Sequence, residues 1–416
     1  MRSAHPKRRP RLLLVTRSLE VGGTERHLTQ IAPRLAARGF DVSLYCLSLR
    51  GGQMVEVEGT DVRLCGPVPG ASSGIAATVS LATGALGLVP EMLQQRPDIA
   101  HFFLPHAYLA GSLAALLTQV PVRIMSRRCL NHYQSKHPRL ARLEHRLHAS
   151  MSAILGNSQR VLGDLVGEGV QPGKAGLIYN GIDTARFSGP FDRAAARAKL
   201  GISSDATVLT IVANLARYKG HSDLLQGLAA VRDRLPTGWV LLAAGRDDGA
   251  LASLHQEAEA LGLSQHVRFL GLRRDVEDLL RVSDIGILAS HEEGFSNALL
   301  EGMAAGLPMV ATDVGGNAEA VIDGVCGAIV PARDPRRLGE AIARLASDPS
   351  LAARQGGAAR ERAERVFSLD AMIDSYEDVY RALLAGQPLP ASVRRGAVVA
   401  GAPVLAPAEI AAAQLA

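Results

Sequence analysis

Short apolar runs alternate with longer amphipathic stretches along most of this chain, and the alternation occurs twice. Leu12–Thr16 has the length of a strand. A glycine turn follows at Val21-Gly22-Gly23-Thr24-Glu25, then a helical periodicity from Arg26 to Gly39, where glycine ends it. Asp41–Leu47, Asp98–Phe103, Pro121–Ser126 and Ser152–Gly156 are further strand-like runs, with a helix expected from about Ala107 to Thr118. The rhythm restarts after Ile178-Tyr179-Asn180-Gly181-Ile182-Asp183. Val208–Ala213, Trp239–Ala244, Val267–Leu270, Ile285–Leu288 and Pro308–Thr312 are the strands of this second half, separated by helical stretches. Strands alternating with helices predict an α/β protein whose parallel sheets are wrapped on both faces.

A chain of 416 residues is too long for one comfortable core, so two domains are expected. The boundary falls at the polar, charged link near 183 to 205, giving domains over residues 1–183 and 184–368. Beyond Gln387 the chain turns to Pro, Ala and Gly, and 387–416 is expected to be a disordered tail.

Composition narrows the function classes. Hydrophobic residues make up 47% and charged residues 20%, as in ordinary soluble globular proteins. The formal net charge of +5 suits phosphates or lipid head groups without requiring nucleic acid. Aromatics are only 4% and no RNA-type stacking motif occurs, which argues against a nucleic-acid partner. Cys46, Cys65, Cys129 and Cys326 lack the close spacing of a metal or redox pair, which fits a reduced, cytosolic setting. Lys7, Arg8, Arg9 and Arg11 precede an apolar run that Arg17 soon interrupts, too short for a signal peptide. The uncharged stretch Gly70–Pro90 is long enough to span a bilayer, but it is rich in Ser, Thr, Gly and Ala. It is expected to be a buried or surface-resting helix. No G-x-G-x-x-G follows a strand and no G-x-x-x-x-G-K-[ST] occurs, which weakens nicotinamide, flavin and P-loop readings. No D-x-D pair is present, so no metal or cofactor is expected.

The densest chemistry lies at 290–316, Ser-His-Glu-Glu-Gly-Phe-Ser-Asn-Ala-Leu-Leu-Glu-Gly-Met-Ala-Ala-Gly-Leu-Pro-Met-Val-Ala-Thr-Asp-Val-Gly-Gly. Glu293 is placed in a loop and Glu301 one turn inside the following helix. Between them Gly294–Ala298 can present backbone N–H groups at a helix N-terminus, where diphosphate or sugar oxygens are welcome. Carboxylates suit a polyhydroxylated ligand because each accepts several hydrogen bonds. The simpler reading is helix capping, with Ser290 and Glu293 as a capping box. A second cluster, Asn214-Leu215-Ala216-Arg217-Tyr218-Lys219-Gly220-His221, follows a strand and places Lys219 at the mouth of a helix. A cation there is a counter-ion for a departing diphosphate, or simply a solvated loop charge.

Taken whole, the 290–316 string closely resembles the E-x7-E region of GT-B-fold retaining glycosyltransferases of family 4. The resemblance implies two Rossmann-like domains facing across a cleft, with 369–386 crossing back to the first domain. It implies transfer of a hexosyl or N-acetylhexosaminyl unit from a nucleoside diphosphate sugar, with retention, to a saccharide or lipid-linked acceptor. Glu301 would hold the donor ribose and Glu293 would lie beside the transferred sugar, while Phe295, Ser296 and Asn297 bring further donors. Lys219 and amides near Gly315 and Gly316 would take up the leaving charge. The family usually carries Arg where this chain has Asn214, a departure for which Arg217 is the candidate replacement. Gly22 and Gly23 match the family's donor-side glycine turn. Pro97–His106 resembles the stretch bearing an active-site His, with His101 or His106 in that role and Phe103 where a second His is frequent. Asn180-Gly181-Ile182-Asp183 matches the interdomain crossover, expected to be a hinge. Two other readings remain open: a nucleotide-sugar 2-epimerase of the same fold, and a catalytically silent nucleotide-sugar-binding subunit.

From Arg123 to Arg146 seven Lys or Arg residues stand against one acid, Glu144. Leu140, Leu143 and Leu147 lie at helical spacing beside Arg139, Arg142 and Arg146, so this segment is expected either to face water or to rest on anionic lipid at the inner membrane face.

Overall fold

A computed structural model describes residues 8–20, 22–67 and 74–394. These form two compact units, one of residues up to Tyr179 together with those from Met372 onward, the other of Asn180–Ala371.

The first unit is built on β1 (Arg11–Thr16), β2 (Asp41–Cys46), β3 (Val62–Cys65), β4 (Ile99–Phe103), β5 (Val122–Arg127), β6 (Ala153–Gly156) and β7 (Ala175–Leu177). They lie in the order β3-β2-β1-β4-β5-β6-β7, every pair parallel. Its connecting helices are α1 (Gly23–Ala37), α2 (Gly74–Gln95), α3 (Pro105–Leu117), α4 (His132–Lys136), α5 (Pro138–His148) and α6 (Gln159–Gly167). The second unit uses β8 (Val208–Val212), β9 (Val240–Ala244), β10 (Val267–Gly271), β11 (Ile285–Leu288), β12 (Met309–Thr312) and β13 (Gly327–Val330). Their order is β10-β9-β8-β11-β12-β13, again all parallel. Between them run α7 (Arg193–Lys199), α8 (His221–Val231), α9 (Leu251–Ala260), α10 (Val276–Val282), α11 (Asn297–Ala304), α12 (Asn317–Ala320), α13 (Pro335–Ala346) and α14 (Pro349–Val366). Helices α15 (Leu369–Leu384) and α16 (Ala391–Arg394) close the described chain.

The central strands are apolar runs because helices cover both faces of each sheet. Five of the six β1 positions, and all five of β4 and of β9, are buried. Leu13, Val15, Phe102 and Ile154 anchor the first core, and Leu209, Ile211, Leu228 and Ile342 the second. Several helices start where a side chain satisfies the open N–H groups of the first turn: Ser158 for α6, Asp192 for α7, Asp334 for α13 and Asp348 for α14.

The strands predicted from apolar runs appear within a residue or two of their expected bounds. The short edge strands β3, β7 and β13 carry no comparable run and are visible only in the structure. The stretch 184–205 holds α7, whose Arg197 is buried and hydrogen-bonded to Asp284 at 2.8 Å and to the carbonyls of Val282, Ser204 and Ala206. The expected disordered tail needs correction at its start. Leu389 and Val393 are both 1% exposed, and they approach Gly176 of β7. Composition hid these two apolar anchors among Pro and Ala; residues 395–416 lie outside the described part. Of the uncharged stretch, 70–73 lie outside it as well, and the rest begins α2. No helix among the described residues is long and apolar enough to cross a membrane.

Candidate active site

In the second unit the strand order reverses between β8 and β11, and the crevice beyond the carboxyl ends of those two strands is where open α/β sheets take ligands. The two sequence clusters meet there. After β8 the chain makes a single 3-10 turn, Arg217–Lys219, then Gly220 in the left-handed region at φ 69°, then α8. A Cβ at Gly220 would meet the Ala289 carbonyl oxygen at 1.9 Å, so only glycine lets this turn lie against the end of β11. The Tyr218 carbonyl accepts from the His291 N–H at 2.7 Å, and the His291 ring contacts Asp223 on α8 at 2.7 Å.

These ties bring Lys219 Nζ to 2.7 Å from Glu293 Oε1, with both side chains largely buried (17% and 12% exposed). Ser290 Oγ donates to the same carboxylate oxygen at 2.7 Å. The capping-box reading of Ser290 and Glu293 is therefore corrected. Helix α11 starts only at Asn297, and its cap is Ser296, which accepts from the Leu299 N–H. Glu293 is free of capping duty and points to the cation. Glu301 sits inside α11 and is 4% exposed. Gly315 completes the floor, with φ 54° and a Cβ position that would fall 2.0 Å from the Glu293 carbonyl oxygen. The Gly316 N–H donates to the Gly294 carbonyl at 2.9 Å.

Phe295 is buried against Phe367, ring centroids 5.4 Å apart. Its carbonyl accepts from Asn180 Nδ2 at 2.9 Å, and the same amide reaches Asn297 Oδ1 at 2.7 Å. Asn180, expected to be a hinge residue, thus braces the Phe295–Asn297 loop, a role that its place in a crossover motif did not suggest. His221 follows Lys219 into α8, where burial and the neighbouring lysine charge push its pKa down to about 4.

Asn214 donates to Asp248 Oδ2 at 3.0 Å, and Arg246 Nε reaches Asp248 Oδ1 at 2.7 Å. The cation held beside position 214 is therefore Arg246. Arg217 is exposed, with no side-chain partner among the described residues. Sequence reasoning missed Arg246 because it follows a different strand, β9.

Gly22 and Gly23 lie in the first unit at the start of α1, with Gly22 extended at its N-cap; Val21 lies outside the described residues. The two histidine candidates part company. His101 is 0% exposed, with Nδ1 2.7 Å from the Tyr380 hydroxyl and Nε2 2.8 Å from Ser126 Oγ. Burial, with the charge of Arg128, holds it well below the usual imidazole pKa, so it is a neutral core residue with both nitrogens engaged. His106, at the start of α3, is exposed. Partial desolvation lowers its pKa, as do the charges of Arg17 and His137. Among the described residues no group of three or more His, Cys, Asp or Glu is arranged to hold a metal ion.

The basic segment also divides. Arg123 hydrogen-bonds the carbonyls of Val120 and Ser150, while Arg127 is buried between Glu144 and Glu168, each contact 2.5 Å. Lys136, Arg139, Arg142 and Arg146 are exposed.

Residues 192–362 match the family described as glycosyl transferases group 1, and residues 21–186 match glycosyltransferase family 4. A D-inositol 3-phosphate glycosyltransferase of Geodermatophilus obscurus is 30% identical over 418 residues, covering 92% of this chain and 90% of its own. The enzyme of that name from Saccharomonospora viridis is 36% identical over 223 residues, 51% of each chain. The fold is shared with Anabaena HepE, solved in complex with UDP-glucose, at 22% identity and TM-score 0.77, covering 89% of this chain and 99% of that one. It is also shared with sucrose-phosphate synthase of Thermosynechococcus elongatus, at 20% identity and TM-score 0.76 over 91% and 100% of the chains. With both α/β units matched and a relative aligned along nine-tenths of each chain, this chain belongs to the group 1, family 4 glycosyltransferases: a nucleotide-sugar-dependent enzyme with the GT-B fold.

Proposed function

We propose that the second unit holds a nucleoside diphosphate sugar at the β8/β11 crevice and that the enzyme transfers its hexosyl or N-acetylhexosaminyl unit, with retention, to a saccharide or lipid-linked acceptor. The observation that carries this reading is the Lys219–Glu293 pair set against the Gly315–Gly316 turn. Breaking the bond from the anomeric carbon to the diphosphate leaves negative charge on phosphate oxygens. A desolvated ammonium group held in place before the reaction stabilises that charge at little reorganisation cost. Glu293 then orients the sugar, and Glu301, on a rigid helix, accepts from the ribose hydroxyls. Retention is supported by family membership. No divalent metal takes part in this reading, since Lys219, Arg246 and backbone amides supply the positive field. A phosphorylated polyol of the kind named for the curated relatives, D-inositol 3-phosphate, is the second acceptor reading.

Thermal-shift titration with UDP-, GDP- and ADP-sugars, with chelator and with added magnesium, tests the donor site. One nucleotide class should stabilise the protein equally in both conditions. Glu301→Ala should weaken that binding about 10- to 100-fold, the loss of one or two hydrogen bonds to a charged group. Equal affinity in Glu301→Ala and the parent would remove Glu301 from the site.

We further propose that the first unit rests on anionic lipid. Leu86 on α2 and Leu113, Leu116 and Leu117 on α3 are exposed, Leu86 and Leu117 at 76%, and α3 carries no charged residue. Helix α3 contacts both α2 and α5, and α5 carries the exposed Arg139, Arg142 and Arg146. The whole protein should sediment with vesicles containing phosphatidylglycerol and not with pure phosphatidylcholine. At about 1 kcal/mol per surface cation, replacing the three arginines by Gln should weaken binding about a hundredfold. Retention of binding by that triple variant would rule the surface out.

A further inference from the structure

Helix α8 begins with little support of its own. Its N-cap is Gly220, which has no side chain to bond the open N–H groups of the first turn. Ser222 is turned to Glu257 on α9, Oγ to Oε1 at 2.6 Å. Asp223 could reach back towards the cap, as an acid in the first turn often does, but its Oδ2 is held by His291 Nε2 at 2.7 Å. A carboxylate accepts and does not donate, so the ring hydrogen of His291 lies on Nε2. His221 is 4% exposed, and neither of its ring nitrogens has a hydrogen-bond partner among the described residues. The start of α8 therefore depends on its ties to the segment that follows β11.

Those ties bracket Lys219. His291 meets the α8 side twice, its backbone N–H donating to the Tyr218 carbonyl at 2.7 Å and its ring to Asp223. Tyr218 precedes Lys219 by one residue and Asp223 follows it by four, while His291 stands two residues before Glu293. The Asp223–His291 pair thus joins the same two segments as the Lys219–Glu293 pair, and it grips the chain on both sides of the lysine. With side chains 19% and 13% exposed, Asp223 and His291 are not fully dry, and such a pair carries little of the global stability. Its leverage is on geometry. A lysine ammonium rides on a flexible four-carbon stem, so it is held in place only as firmly as the loop at its base.

We infer that Asp223 and His291 are positioning residues for Lys219, a clasp that fixes the loop beneath the lysine so that only the ammonium group has to turn from Glu293 to the departing diphosphate. Neither residue touches the donor; both act through Lys219. The inference rests on the donor-site reading for the reaction it serves, whereas the clasp itself can be measured with no substrate present.

Lysine occurs at five positions of the chain, Lys7, Lys136, Lys174, Lys199 and Lys219. Acetylation of the whole protein by a water-soluble succinimidyl ester can therefore be followed at Lys219 by peptide mass spectrometry, with the exposed Lys136 and Lys199 as internal references. Lys219 should label several-fold faster in His291→Ala and in Asp223→Ala than in the parent. His291→Gln, whose amide N–H replaces that of Nε2, and Asp223→Asn, which keeps an acceptor, should stay near the parent. Ser222→Ala, which cuts the tie to α9 from the same turn, should leave the rate unchanged. Kinetics then use whichever of UDP-, GDP- or ADP-glucose stabilises the protein, followed as release of the nucleoside diphosphate. His291→Ala should lower kcat by about 10- to 100-fold, the cost of a misplaced charge-stabilising group, with the donor KM within about threefold. In a Lys219→Ala background the same substitution should cost about threefold or less, because the clasp then has nothing left to position. Unchanged labelling of Lys219 in both alanine variants would overturn the clasp. Faster labelling with an unchanged kcat, or an equal loss of kcat with and without Lys219, would overturn its part in the reaction. Faster labelling in a protein that turns over none of the three nucleotide sugars would sink the donor reading and leave the clasp standing.

Discussion

Lys219→Ala is expected to lower kcat by about 10²- to 10³-fold, equivalent to about 3–4 kcal/mol of lost transition-state stabilisation. The KM for the nucleotide sugar should change by about threefold or less, because in the proposed site Arg246 and the Gly315–Gly316 turn would also hold the ground-state diphosphate. The asymmetry follows from the charge history of the reaction. Before bond cleavage Lys219 is satisfied by Glu293 at 2.7 Å, so part of its charge is already answered. In the proposed reaction charge would accumulate on the leaving oxygen as the anomeric bond breaks, and the ammonium group would gain an interaction it lacks in the resting protein. Stability should fall little, since the pair is not wholly dry and Ser290 still donates to Glu293. Steady-state kinetics with saturating acceptor and varied donor separate the two constants. A kcat within threefold of the parent would mean that the pair is only a fold contact.

How much of this site could be found in the sequence depended on whether its parts were contiguous. Glu293, Glu301, Gly315 and Gly316 fall in one string because β11, α11 and β12 are consecutive, and the string carried their proximity. Lys219 stood in a separate cluster, but β8 and β11 are neighbours across the strand-order reversal, so the two clusters converge. Arg246 and Asn180 were invisible for the opposite reason. Each reaches the site from a segment whose local sequence serves another purpose, a strand end and a crossover. The histidine question could not be settled from spacing, because His101 and His106 sit on the same segment. What separates them is α15, nearly 280 positions away, whose Tyr380 closes over His101. The basic run Arg123–Arg146 shows the same limit. In sequence its cations are alike, yet in the fold Arg127 turns inward to meet Glu168, 41 positions on. Helical periodicity locates Leu143 and Leu147 but says nothing about a partner on another helix.

That inward turn sets up the largest stability effect expected in this protein. Arg127→Ala should destabilise it by about 3–5 kcal/mol, because it strands two buried carboxylates. Glu144 and Glu168 have side chains 2% and 5% exposed, and removing Arg127 leaves Tyr133, Gln134, Asn131 and His148 to satisfy them. The effect should depend on pH with a definite sign. Burial acts to raise the pKa of Glu168, but hydrogen bonds from His148 and Arg127 overcome it and hold the carboxyl at about 2, below its ordinary 4.5. A folded-state pKa below the unfolded one contributes stability that is fully present above about 4.5 and is lost as pH falls towards 2. The parent should therefore lose stability more steeply than Arg127→Ala across that window, and the gap between them should narrow as Glu168 takes up a proton. Urea unfolding at pH 7, 4.5 and 3.5 measures both quantities. A gap below about 1 kcal/mol at pH 7 would mean that water reaches the carboxylates, and that the clasp joining β5 to α5 and α6 is looser than its geometry implies.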